Sequence, residues 1–167
     1  GHTVQVPYAP GSYLVLEGDR YDLRQFHFHS PSEHVINSQP QAAELHLVHQ
    51  NEAGELAVVA VMLNADDTSK RTDYNALSNT LPVHVGNKIR TNQTINARSL
   101  LPTQTTTYRY SGSLTTPPCT ESVTWLVMSE PVLLTTQELS KYEQLLNHNN
   151  RPLQAFNNRV LQVDTTP

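Results

Sequence analysis

Along this chain apolar side chains recur mostly at every second position, in short runs broken by Pro, Gly, Asn and Asp. A period of two puts successive side chains on opposite faces of an extended strand, and the breaking residues are those that reverse a chain, so the pattern predicts a sheet. Residues 13–16 and 21–29 read as two strands joined by a turn around Glu17-Gly18-Asp19. Residues 42–49 and 56–63 read as a hairpin across Asn51-Glu52-Ala53-Gly54. Two later strands are predicted over 107–110 and 122–128. Helical spacing is confined to a short stretch over 73–81 and to a longer one from Thr136 to about Asn147, where Leu139, Tyr142, Leu145 and Leu146 share a face. Thr135 followed by Glu138 forms a capping box, in which each side chain satisfies a backbone amide of the other residue. The expected class is therefore mixed α and β, mainly β. With 167 residues, no internal repeat and no linker, a single domain over 1–167 is expected.

Composition narrows the partners. At 37% hydrophobic and 16% charged residues with a formal charge of -4, the chain is poorly suited to grip phosphate backbones, so nucleic acid is not an expected partner. The longest apolar run, residues 56–63, is far shorter than the roughly 20 residues that span a bilayer, and no membrane association is expected. The chain opens at Gly1-His2 without an initiator Met, which suggests a processed or incomplete N-terminus. On count alone the single cysteine, Cys119, reads as a free thiol.

The chemistry is concentrated in two of the strands. In Gln25-Phe26-His27-Phe28-His29, residues 25, 27 and 29 share one face and the two phenylalanines share the other. Taken alone, His-x-His is more often incidental than a ligand pair. The stretch Ala43-Glu44-Leu45-His46-Leu47-Val48-His49 adds a third imidazole, with Glu44, His46 and Val48 on one face. Three neutral imidazoles leave a tetrahedral zinc one open position, the composition of a catalytic site. Gln25 and Glu44 each sit two residues from a histidine on the same face, placed to accept its remaining ring proton and fix its tautomer. The run Ser113-Leu114-Thr115-Thr116-Pro117-Pro118-Cys119 is a proline-stiffened loop that presents threonine hydroxyls, though by itself it is only a turn.

These segments, with Ser32-Glu33-His34 between the two histidine strands, resemble the α-carbonic anhydrase family in order and spacing, and the resemblance runs from Gly1-His2 to Asn158-Arg159. It implies a twisted, largely antiparallel central sheet with short peripheral helices. The implied activity is zinc-dependent reversible hydration of carbon dioxide to bicarbonate and a proton. By position, His27, His29 and His46 resemble the zinc ligands, and Gln25 and Glu44 their hydrogen-bonding supports. Thr115 would accept a hydrogen bond from the reacting hydroxide and give its own proton to Glu33. His2 resembles the proton shuttle. Val48, Val58, Leu114, Val123 and Trp125 resemble the apolar wall that holds carbon dioxide, and Thr115 and Thr116 the contacts for bicarbonate.

The resemblance also implies inhibition by sulfonamides and anions. It further implies a missing N-terminal segment, a disulfide partner for Cys119 within it, and a periplasmic or secreted location. Oligomeric state is left open, a dimer included. The alternatives are a carbonic-anhydrase-like binding module without turnover and an unrelated metal-binding β-protein.

Overall fold

The computed structural model describes residues 3–82, 84, 86–90, 92 and 94–165. Among them the strands are β1 (Gln5–Pro7), β2 (Tyr13–Leu16), β3 (Asp19–His29), β4 (Val35–Ile36), β5 (Gln39–Pro40), β6 (Ala43–Gln50), β7 (Leu56–Ala65), β8 (Thr107–Ser113), β9 (Glu121–Met128), β10 (Val132–Leu134) and β11 (Gln162–Asp164). The α-helices are α1 (Thr72–Asn79) and α2 (Thr136–Leu146).

The main sheet has the order β1-β3-β6-β7-β9-β8-β11, with β2 also on β3 and β10 also on β7. Most pairings are antiparallel, but β9 and β10 both run parallel to β7, so the sheet is mixed. Local alternation does not encode this: parallel neighbours need a long crossover, here the excursion that carries α1 and β8.

The β2–β3 hairpin closes through Glu17 and Gly18, both at positive φ (53° and 96°), a two-residue turn whose twist suits the strands on either side. The expected turn is present, and β3 begins at Asp19 because that residue already pairs with Leu16. Strands β6 and β7 are joined through Asn51, whose side chain accepts from the backbone of Glu55, while Gly54 takes φ 87°.

Period two divides the interior. On one face, Phe26, Phe28, Leu45, Val61 and Leu63 form a dry core, closed by Leu139, Tyr142 and Leu146 of α2. The Phe28 ring lies 4.7 Å from that of Tyr142. Helix α2 starts where the capping box predicts: the Thr135 hydroxyl accepts from Glu138 N at 3.2 Å, and Glu138 Oε2 accepts from Thr135 N at 2.9 Å. A second apolar cluster on the opposite face joins Val48, Val58, Val123 and Trp125. The imidazoles belong to this second face.

The short strands β1, β4, β5, β10 and β11 have no counterpart in the sequence reading. Each is two or three residues long, too short for alternation to register; β1, β10 and β11 add to strands of the main sheet, while β4 and β5 pair only with each other in a separate two-stranded sheet.

Candidate metal centre

Strands β3 and β6 pair with His27 directly opposite His46 and His29 opposite Glu44. Directly opposite residues point to the same face, so this register alone gathers the three imidazoles. One ligand nitrogen from each of His27, His29 and His46 lies within 4.8 Å of the others, close enough to converge on one ion. His29 and His46 are buried and His27 is half-buried, so the centre lies nearest solvent at His27.

Every ring has one nitrogen tied up. His27 Nδ1 lies 2.8 Å from Gln25 Oε1, and His46 Nε2 lies 2.8 Å from Glu44 Oε1. Both oxygens are acceptors, so the protons sit there, and His27 Nε2 and His46 Nδ1 are left with lone pairs. His29 Nδ1 faces the carbonyl of Asn149 at 3.4 Å, and its Nε2 is buried with no partner. A buried nitrogen without a partner is costly, and an ion at this point would relieve that cost. Burial, reinforced by the neighbouring imidazoles, lowers the pKa of His27 to about 2 and that of His29 to about 3, so both rings are neutral and able to ligate at neutral pH. Three neutral imidazoles fit zinc with one position open.

Glu44 is fully buried and saturated. Its Oε2 accepts from the backbone amides of Glu33 (2.7 Å) and His34 (2.9 Å), and its Oε1 accepts from His46 Nε2 and from His34 Nδ1 (2.6 Å). Burial alone would raise the Glu44 pKa, but the two histidines hold it well below the ordinary carboxylate range. For His34 burial opposes charging, and the Glu44 carboxylate more than offsets it, raising the pKa. Beyond His34, its Nε2 meets the Tyr110 hydroxyl at 2.6 Å.

Glu33 lies beside the three histidines: its Oε1 accepts from Arg151 N at 2.6 Å, while its Oε2 is buried without a partner, 3.9 Å from His46 Nδ1. The structure brings Thr115 and Glu33 to the wall of one cleft of about 1080 Å³, but among the described residues no hydrogen bond joins them. None of the three histidines lines this cleft, which reaches the centre at Glu33 and His34.

Val48, Val58, Val123 and Trp125 are buried together, with Leu114 packed against them. Ala60 lies opposite His46 on β7, and the Trp125 ring reaches to 4.8 Å from the His46 ring. Thr116 is exposed on the loop, where its carbonyl accepts from Cys119 N. Cys119 is a free thiol among the described residues. His2 lies outside the described residues.

Sequence reasoning assigned no role to His34, Tyr110, Asn149 or Arg151. Asn149 donates to Phe28 O and accepts from Ser30 N, bracing the end of β3 from a segment 119 to 121 residues away. No local pattern carries such distant contacts.

A sequence profile of the family described as eukaryotic-type carbonic anhydrase matches residues 1–165. A carbonic anhydrase of Klebsiella pneumoniae is 42% identical over 166 residues, covering 96% of this chain and 66% of its own length. One of Pectobacterium carotovorum is 37% identical over 162 residues, with the same coverages of 96% and 66%. The chain thus spans just under two thirds of the length of these curated relatives. Among solved structures, the α-carbonic anhydrase of Thermovibrio ammonificans in complex with the inhibitor sulfanilamide superposes with a TM-score of 0.91 at 37% identity, covering 96% of this chain and 70% of that one. Convergent histidines, a saturated carboxylate behind them and likeness along nearly the whole chain lead to one conclusion: this chain belongs to the α-class, eukaryotic-type carbonic anhydrase family.

Proposed function

We propose that the chain is the zinc-binding and catalytic core of a carbonic anhydrase, interconverting carbon dioxide and water with bicarbonate and a proton. The observation that carries this reading is the convergence of three imidazole nitrogens whose protons are held elsewhere by Gln25, Glu44 and the Asn149 carbonyl. His27, His29 and His46 would hold the ion. Zinc bound by three imidazoles supplies hydroxide near neutral pH, an effect for which carbonic anhydrase is itself the standard example.

The chain's own residues do the rest. Gln25 and Glu44 keep the ligand lone pairs directed inward, so that no ring has to turn or lose a proton when the ion enters. Glu33 Oε2, buried and without a partner, is the acceptor to which the Thr115 hydroxyl proton would go. A threonine that donates to Glu33 can only accept from the reacting oxygen, which turns that oxygen's own lone pair toward the substrate carbon. Carbon dioxide has no charge or strong dipole, so dispersion contacts with Val48, Val58, Leu114, Val123 and Trp125 are what can hold it. Thr115 and Thr116 would bind bicarbonate, or an inhibitory anion or sulfonamide at the same place. The sulfanilamide bound by the Thermovibrio ammonificans enzyme supports the last point.

The test measures zinc content and carbon dioxide hydration on one sample, before and after chelation, for wild type and His46→Ala. One zinc per chain, hydration that disappears with it, and a sharp loss of zinc affinity in the variant are expected. Full zinc loading without hydration would instead identify a binding module that does not turn over.

A further inference from the structure

We propose that His34 is a positioning residue of the metal centre, clamped between Tyr110 and Glu44 so that Glu44 keeps the Nδ1 lone pair of His46 directed at the ion. The inference rests on the zinc reading above and extends it one layer outward.

His46 can serve through Nδ1 only while its proton stays on Nε2, and Glu44 Oε1, at 2.8 Å, is the acceptor that holds it there. The orientation of Glu44 therefore decides the tautomer. Two backbone amides hold its Oε2, but a carboxyl torsion is broad, and contacts on one oxygen leave the other free to swing. The second contact on Oε1, besides His46, is His34 Nδ1, at 2.6 Å. An ionised carboxylate only accepts, so His34 donates to it.

His34 is itself held in place. Tyr110 meets its Nε2 at 2.6 Å, and the Trp125 ring packs edge-on against it at 4.9 Å. The Tyr110 and Trp125 rings stack nearly parallel, 8° apart, and Trp125 Nε1 donates to Ser113 O at 3.0 Å. Gly112 permits this arrangement: a Cβ there would stand 2.7 Å from Tyr110 Cε2 and 2.8 Å from Trp125 Cδ1. Strand β8 thus fixes the tautomer of a ligand on β6, with two strands between them.

A residue that merely braces the fold would change stability and leave the ligand alone. The deciding measurements are therefore the zinc dissociation rate of the loaded protein and the His46 tautomer of the metal-free protein, read from ring ¹⁵N shifts. His34→Ala is expected to release zinc about tenfold faster, the low end of what outer-layer partners of metal ligands contribute. It should also turn a single Nε2–H tautomer into a mixture. His34→Asn, which restores a donor near the Nδ1 position, should recover most of both. Tyr110→Phe keeps the ring, loses only the hydroxyl, and should move both readouts in the same direction; it replaces His34→Ala if that variant does not fold. A lower melting temperature with wild-type zinc release and a wild-type tautomer would overturn the proposal. So would a second zinc per chain that His34→Asn abolishes, because His34, Glu44 and His46 would then be ligands themselves. If wild type holds no zinc, the metal reading fails separately, and the tautomer comparison alone decides for or against His34.

Discussion

Acid should destabilise the metal-free protein well before its carboxylates titrate, because three buried or half-buried histidines are neutral in the fold. Burial lowers His27 to about 2, His29 to about 3 and His49 to about 4. In the unfolded chain each returns to about 6.5. Below that value the unfolded state binds more protons than the folded one, so stability is full above pH 6.5 and falls as the pH drops toward the folded values. Between pH 7 and pH 5 each ring costs about 1.9 kcal/mol, or about 5–6 kcal/mol for three. His34 works the other way, since its raised pKa favours the fold as it takes up a proton, and this trims the total. Glu44, held well below the ordinary range, stays ionised throughout this window. Domains are stable by only about 5–15 kcal/mol, so the metal-free protein should be marginal at pH 5. Denaturant unfolding in chelator at pH 7, 6 and 5 measures this directly. His49→Gln, away from the metal centre, should remove about a third of the drop. Excess zinc should move the acid transition lower, because ion and proton compete for the same lone pairs. An unfolding midpoint that does not change between pH 7 and 5 would refute the burial argument.

Thr115→Val keeps the volume of the side chain and removes its hydroxyl, so zinc should be retained while carbon dioxide hydration falls by about a hundredfold, the scale of losing one preorganised polar contact. Undiminished hydration by stopped-flow would exclude the orienting role. Gly112→Ala forces a methyl against Tyr110 and Trp125, and should cost about 1–3 kcal/mol in denaturant unfolding. A neutral result would mean that these rings move aside freely.

Sequence alone carried the candidate ligands, because strand periodicity is local. In Gln25-Phe26-His27-Phe28-His29 and Glu44-Leu45-His46 the period of two sorts imidazoles from core, and places Gln25 and Glu44 beside the rings they support, before any partner strand is known. The capping box of α2 and the positive-φ turn at Glu17-Gly18 were legible for the same reason, since their physics is complete within four residues. Three features depended on the tertiary structure. The first was register: whether His27 meets His46 depends on how β3 slides along β6, and a shift of one residue would send the imidazoles to the Phe26 and Phe28 side. The second was the parallel placement of β9 on β7, which brings Trp125 against His46. The third was the network behind the ligands. Its members, Tyr110, Asn149 and Arg151, lie 76 to 121 residues from their partners His34, Phe28 and Glu33, and only packing brings them within hydrogen-bond distance.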